Sequence, residues 1–232
     1  IQADANALVA QLASAAGPQT VRARKIVLAL GREGSGAPRW PAFASLQGLN
    51  STTSNSNRAI AGIHHSADAI DFEAYRGRHL AVLGAGASAF DNAACALEAG
   101  AQVSLFARRT QLPQVNKSKW TAFPGFLRGY ASASDAARWR FYTYIFDEQV
   151  PPPWETVRRC DAHTAFTLRL GAPWRDVQAR TDGRVDVVLD AGIETYDGVI
   201  FGTGFDVDLQ DRPELAGWLP SVDTSARHVT PE

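Results

Sequence analysis

The sequence predicts an α/β fold built on a parallel sheet, and three adjoining observations predict it. Leu80, Ala81, Val82 and Leu83 form a short apolar run ended by Gly84, as a strand covered on both faces does. Phe90, Ala93, Ala94 and Leu97 then recur at helical spacing, with Gly100 placed to stop the helix in the left-handed conformation. A second strand, Gln102 to Phe106, follows at once. Strand, helix and strand in this order make a βαβ unit.

The turn inside that unit carries its chemistry. Gly84, Gly86 and Ala89 keep the GxGxxG/A spacing, with Ala85, Ala87 and Ser88 between them. The first glycine permits a tight turn, the second lets backbone approach a pyrophosphate, and the small third residue lets helix and strand pack closely. The helix, from about Ser88 to Ala99, points its free N–H groups and positive dipole end at that anion. About 20 residues beyond such a motif an acidic residue usually meets the ribose 2′-hydroxyl. Ala107, Arg108 and Arg109 stand there instead. Guanidinium groups at that place suit a 2′-phosphate, which predicts NADP rather than NAD. A glycine turn with two solvated arginines is the plainer alternative; the joint register of strand, helix, second strand and basic end speaks against it.

Composition bounds the rest. The chain has 232 residues, 45% hydrophobic and 20% charged, enough for one sizeable core or one and a half domains. A formal net charge of −1 leaves no global basic field, so neither nucleic acid nor an anionic membrane is an expected partner. Its two cysteines, Cys95 and Cys160, have neither a CxxC nor a metal spacing; they fit a reducing, cytoplasmic location, and Cys95 is read as core. No apolar run approaches the ~18 residues of a membrane span, and no signal peptide is read. The sequence has no methionine, not even an initiator, so we expect a portion of a longer chain.

In chain order, Leu8, Ala10 and Leu12 alternate inward, Gly17 and Pro18 offer a turn, and Val21 and Ala23 resume the alternation, which predicts a β-hairpin over residues 7–24. A buried strand, Lys25 to Leu30, should follow and end at Gly31, before a Gly/Pro-rich connection. Residues 44–58 are Ser/Asn-rich and read as an exposed loop. His64 and His65 are adjacent, with Asp68 and Asp71 nearby. Neighbours on an extended chain face opposite ways and no further ligand has the spacing, so no metal is predicted and a loop beside the cofactor is expected.

After Arg109 an insertion is expected at about residues 112–180. It holds a helix with Trp139, Tyr142 or Thr143, and Phe146 in register, then a break at Pro151 to Pro153. An aromatic stripe of this kind is more often core than a substrate wall. A further helix is predicted over Trp154 to Arg169, with Val157, Cys160 and Phe166 inward, and a return to sheet over Trp174 to Ala179. Val185 to Leu189 and Glu194 to Phe201 predict two strands joined across Asp190 to Gly192. The second ends in Gly202, Thr203, Gly204 and Phe205, a strand-to-glycine exit like the one at Gly31.

Taken together, KIVLALG, the GAGASAFDNA unit ending in LFARR, and YDGVIFGTGFDVDL resemble the flavin-containing and Baeyer-Villiger monooxygenase superfamily. The resemblance implies a Rossmann-like NAD(P)-binding domain inserted into an FAD-binding domain of the two-dinucleotide-binding type. That FAD-type domain is incomplete, since the family's N-terminal FAD fingerprint is not found in this sequence. The implied boundaries are residues 1–36 and 201–232 for the FAD-type part and 37–200 for the NAD(P)-binding part, with the chain passing between them near Gly31 and near Gly204. By the same resemblance Gly84, Gly86, Ser88 and Ala89 bind the NADP pyrophosphate. Arg108 ends the second NADP strand. The family's FxGxxxH signature is matched only approximately by Ile60, Gly62 and His65, with one residue fewer.

The implied activity is reduction of FAD by NADPH followed by oxygenation, with O2, of a nitrogen, sulfur or carbonyl carbon in a small molecule. Candidate cofactor-binding residues are Gly84 through Ala89, Arg108 and Arg109, with Gly31, Thr203, Gly204 and Phe205 at the exits. Asp91, Asn92 and Lys117 are polar residues near the presumed cofactor, and none is singled out as catalytic. The alternatives are a flavoprotein reductase, whose CxxC is missing, and a nucleotide-binding or redox-sensing module without turnover. A short-chain dehydrogenase is disfavoured because no tyrosine has a lysine four positions on.

Overall fold

The computed structural model describes residues 1–4, 6–27, 37–46, 62–148, 151–206, 208, 210 and 215–221. Its contacts divide the chain into two units, residues 39–204 and residues 1–38 with 205–232.

The larger unit is organised by a five-stranded, all-parallel sheet. Its strands are β5 (Ile63–His65), β6 (His79–Leu83), β7 (Gln102–Ala107), β8 (Phe166–Leu170) and β12 (Gly198–Phe201), in the order β5-β12-β6-β7-β8. Both faces are covered, and the alternation along each strand shows how. Leu80, Val82, Val103, Leu105 and Ile200 bury against α1 (Ala87–Glu98). Ala81, Phe106, Val199 and Phe201 face the other way. There they meet an antiparallel meander of β9 (Trp174–Ala179), β10 (Val185–Leu189) and β11 (Gly192–Tyr196), which contributes Trp174, Val177, Val187 and Tyr196.

The βαβ unit forms as expected. Phe90, Ala93, Ala94 and Leu97 are buried on the inner face of α1, and Gly100 follows its end at φ +92°. After β7 come α2 (Pro124–Tyr130), α3 (Asp135–Glu148) and α4 (Trp154–Asp161). On α3 Phe141 packs against Trp120 at 5.6 Å and Phe126 at 5.2 Å, and Tyr144 meets Trp120 at 6.3 Å. This departs from the expected stripe: Tyr142 is exposed and Trp139 and Thr143 are half-buried, while the Phe146 side chain lies outside the described residues.

The helix expected over Trp154 to Arg169 ends at Asp161. Val157 and Cys160 are inward on α4 as predicted, but Phe166 begins β8, because the alternating FTLRL pairs with β7 from Val103 to Ala107. The strand expected from Glu194 to Phe201 is two strands. Asp197 separates antiparallel β11 from parallel β12, and its carboxylate accepts the His79 N–H at 2.8 Å. His64 and His65 lie in β5, not in a loop, because their backbone pairs with Ile200 and Phe201. Residues 44–46 form a single 3-10 turn that buries Leu46; residues 47–58 of the expected loop lie outside the described residues.

The smaller unit contains β1 (Gln2–Asp4), β2 (Ala7–Ser14) and β3 (Gly17–Ala23) in an antiparallel sheet, and a short antiparallel pair of β4 (Ala37–Pro38) with β13 (Phe205–Asp206). The hairpin is the predicted one, but its turn is at Ala15 and Ala16, since Gly17 and Pro18 already pair with Ser14 and Ala13. Ala10 is buried, whereas Leu12 and Val21 are exposed, so the expected inward alternation does not extend to the hairpin tip. Lys25 to Val27 are not in a strand. The remainder of that expected strand and Gly31 lie outside the described residues.

Candidate functional site

Strand order locates the site. From β6 the chain proceeds through α1 to β7 and onward to β8 on one side, while β12 and β5 occupy the other. The order reverses between β6 and β12, and ligands of open parallel sheets bind outside the carboxyl ends of strands at such a reversal. A cavity of about 510 Å³ opens there, lined by Leu83, Gly84 and Ala85 after β6, Ala107, Arg108 and Arg109 after β7, and Gly202 and Thr203 after β12. Arg39, Trp40, Phe43 and Trp174 form its remaining wall with neighbouring prolines.

The glycine turn is built by close approach. Gly84 sits at φ +132°, and a β-carbon on it would stand 2.3 Å from the Gly202 carbonyl oxygen, so a side chain is excluded by conformation and by space. The approach is held by Gly202 N–H donating to Leu83 O at 2.8 Å and Gly84 N–H donating to Phe106 O at 2.8 Å. Gly202 in turn needs a small neighbour, because its β-carbon would be 2.5 Å from that of Ala89. Gly86 differs from both. It is the N-cap of α1, extended at φ −91° and ψ −179°, with no side chain capping the helix, and a β-carbon there would meet nothing within 4 Å. Open space before an uncapped helix N-terminus is what an approaching phosphate needs.

The residues expected at the site are therefore placed as follows. Gly84, Ala85, Arg108, Arg109 and Thr203 line the cavity, and Gly86 through Ala89 form the N-cap and first turn of α1. Arg108 is exposed and Arg109 half-buried. Thr203 donates its hydroxyl to Arg39 O. Gly204, at φ +86°, carries a carbonyl that accepts from Arg39 N–H at 2.9 Å and meets His65 Nε2 at 3.1 Å. Phe205 belongs to the other unit, in β13. The sequence reading missed Arg39, Trp40, Gly202 and Trp174 as site residues. The signal for the first two was Pro-Arg-Trp-Pro, a basic and an aromatic residue held between prolines in a stretch read only as a connection.

The two histidines have structural partners. His65 is fully buried, and Nδ1 accepts the Ala67 N–H at 3.2 Å, which places the ring proton on Nε2, donating to Gly204 O. Burial holds its pKa below the ordinary histidine value, against the opposing charge of Asp68 and the Gly204 carbonyl. His64 faces the other way, 2.6 Å from the Tyr75 hydroxyl, and burial also lowers its pKa. Among the described residues no group of histidine, cysteine and acidic side chains could hold a metal ion.

Asp91 accepts from the Thr156 hydroxyl at 3.1 Å and meets Arg159 at 3.4 Å, which ties α1 to α4. Asn92 donates to Ser88 O at 2.9 Å inside the helix. Both polar residues of the first turns are thus committed to the scaffold. No helix among the described residues is long and apolar enough to cross a membrane.

Known proteins resemble this arrangement. No protein-family model matches the chain. Over 195 residues it is 36% identical to a FAD-dependent urate hydroxylase of Xanthomonas campestris pv. campestris, a match covering 84% of this chain and 39% of the hydroxylase. Among solved structures, the bacillithiol disulfide reductase Bdr of Bacillus cereus superposes with a TM-score of 0.50 at 16% identity, covering 93% of this chain and 51% of the reductase. The flavoprotein disulfide reductase RclA of Escherichia coli gives a TM-score of 0.49 at 15% identity, covering 90% of this chain and 36% of RclA. The chain thus spans well under two thirds of the length of each of these three proteins. It has a mixed α/β fold with a parallel sheet, similar to the FAD/NAD(P)-binding fold of flavoprotein reductases, and in sequence it is similar to part of a flavin-dependent hydroxylase.

Proposed function

We propose that this chain supplies the NADPH-binding part of a flavin-dependent monooxygenase of the flavin-containing and Baeyer-Villiger superfamily. The whole protein would use NADPH and O2 to oxygenate a small nitrogen-, sulfur- or carbonyl-containing molecule in the cytoplasm, without a nucleic-acid or membrane partner. Residues 37–200 are assigned to the NADPH domain, and residues 1–36 and 201–232 to the FAD-type domain. The observation that carries the reading is the cavity at the reversal of strand order, with an uncapped helix N-terminus beside Gly86 and two arginines beyond β7. Similarity to a FAD-dependent hydroxylase supports the flavin.

The residues fit NADPH. Gly84 and Gly202 bring two strand ends together, Gly86 leaves the space for the pyrophosphate, and the first turn of α1 turns its N–H groups toward it. Arg108 and Arg109 supply positive charge where the adenosine ribose would lie. FAD, when bound, supplies the redox and oxygen chemistry. Among the described residues there is no second strand–glycine–helix turn of this kind, so its binding groups are not assigned to this chain's residues.

A disulfide reductase is the second reading, prompted by the fold of Bdr. It draws no support from this chain's thiols. Cys160 is buried, its thiol pushed up to about 12 by burial, and Cys95 is on a different helix. The deciding experiment is oxidation of NADPH and NADH by the full-length protein under isotope-labelled O2, with urate as the first substrate tried because the similar hydroxylase is named for it. Faster NADPH oxidation with labelled oxygen in the product is expected. NADPH oxidation coupled to reduction of a disulfide, with no label incorporated, would overturn the reading.

A further inference from the structure

The cavity has a basic wall that does not come from the βαβ unit. Arg39 lines it, and the backbone of Arg39 is fixed on both sides, its N–H donating to Gly204 O at 2.9 Å and its carbonyl accepting from the Thr203 hydroxyl. Its neighbour Trp40 is anchored too, 5.6 Å from the His65 ring and edge-on to Phe201 at 5.5 Å. The main chain at Arg39 is therefore held at the carboxyl end of β12.

Strand order decides which part of a dinucleotide that guanidinium serves. β12 is next to β6, and β7 lies beyond β6. With strands about 4.8 Å apart, Arg39 is anchored about one strand from the turn at Gly84 and about two from Arg108. The phosphates that bridge the two nucleosides lie over that turn. The turn and first helical residues, Gly84 to Asn92, contain no basic side chain and one acidic one, Asp91. The helix terminus offers only about half a positive charge, less than a pyrophosphate carries.

We propose that Arg39 is a ligand of the dinucleotide pyrophosphate, supplying a guanidinium from the side of β12, while Arg108 serves the adenosine ribose end. The proposal rests on the reading of this cavity as an NADPH site and assigns a separate role within it. Arg39 should thus govern affinity for NADPH and NADH alike, and Arg108 the choice between them.

The test is a set of dissociation constants for NADPH and NADH at one fixed salt concentration, on full-length native protein, Arg39→Ala, Arg39→Gln, Arg39→Lys and Arg108→Ala. Truncation at Arg39 keeps both backbone hydrogen bonds, and melting temperatures identify any variant that is misfolded; the glutamine variant then stands in for alanine. Loss of a charge-assisted hydrogen bond predicts that Arg39→Ala weakens both nucleotides by the same factor, about 10-fold or more. Arg39→Lys should recover part of it. Native affinity for both nucleotides in Arg39→Ala, or a loss confined to NADPH, overturns the assignment. In either case intact discrimination by Arg108 leaves the cavity reading standing. Native protein that binds neither nucleotide sinks the cavity reading and the role of Arg39 together.

Discussion

A β-carbon added to Gly202 would stand 2.5 Å from the β-carbon of Ala89 and 2.8 Å from its α-carbon. The end of β12 and the start of α1 therefore approach with only the Ala89 methyl group between them. A single methylene-sized intrusion into a packed interior destabilises by about 1–3 kcal/mol, and here the obstacles are the Ala89 β-carbon and the backbone it is fixed to, neither of which can rotate aside. Gly202→Ala should lower the unfolding free energy by that amount and weaken NADPH, because relief of the clash moves the helix N-terminus. Urea titration and a binding isotherm on the same preparation check both; native values in the two would refute the contact.

Arg108 sets a second expectation. It follows β7 with no acidic residue among Ala107, Arg108 and Arg109, and a guanidinium hydrogen bond to a 2′-phosphate is typically worth about 1.5–3 kcal/mol, or roughly 10- to 150-fold. Arg108→Ala should weaken NADPH by a factor in that range and leave NADH nearly unchanged. Arg109→Ala should do less, being the half-buried member of the pair. If the NADPH-to-NADH ratio of Arg108→Ala equals that of native protein, the arginine is only a solvated surface charge.

These expectations draw on the part of the molecule most legible in the sequence. The βαβ unit was readable because each strand is buried on both faces, its helix has one apolar side, and glycines mark the end of its first strand and both ends of its helix. What the sequence left obscure depends on pairing at a distance. Ile63 to His65 become a strand through Val199 to Phe201, and three residues are too few to show a period. Phe166 to Leu170 alternate visibly, yet the helical spacing of Val157 and Cys160 ran on into them; only the bond to β7 decides the matter. Gly202 was visible as the end of a strand, but its contact with Ala89 joins residues 113 positions apart (202 − 89), which no local pattern encodes. Arg39 was hidden for the same reason.

Thiol reactivity gives a third prediction. Cys160 is fully buried, its Sγ donates to Phe90 O at 3.5 Å, and its thiol is pushed up to about 12 by burial. Cys95 is half-buried, with Arg159 Nη2 3.7 Å from its sulfur. Since the thiolate is the reacting species, alkylation near pH 8 should label Cys95 and spare Cys160 in the folded protein, and label both in denaturant. Peptide mapping after a timed alkylation distinguishes the sites; equal labelling of both without denaturant would contradict the packing of α4 on α1.

The last prediction concerns pH. Burial depresses the pKa of His64, His65 and His79 in the folded chain, while in the unfolded chain each titrates near the ordinary value of about 6.5. Between those values the unfolded state binds protons that the folded state refuses, so unfolding takes up protons and stability falls as pH falls. The contribution is fully present above about 6.5 and is lost progressively below it, until the folded-state pKa values are passed. The carboxylates held low by hydrogen bonds, Glu98, Asp190 and Glu194 from arginines and Asp186 from the Thr195 hydroxyl first and Arg180 second, lose their contribution only at lower pH, below the ordinary carboxylate range of about 4 to 4.5. Urea unfolding between pH 8 and 5 therefore isolates the histidines. His65→Asn, which removes the titrating ring between Ala67 N–H and Gly204 O, should flatten the slope in this window whatever it does to absolute stability. A slope unchanged from native protein would mean that His65 takes up its proton as readily folded as unfolded, and that the neutral Nε2–H tautomer is not what holds Gly204.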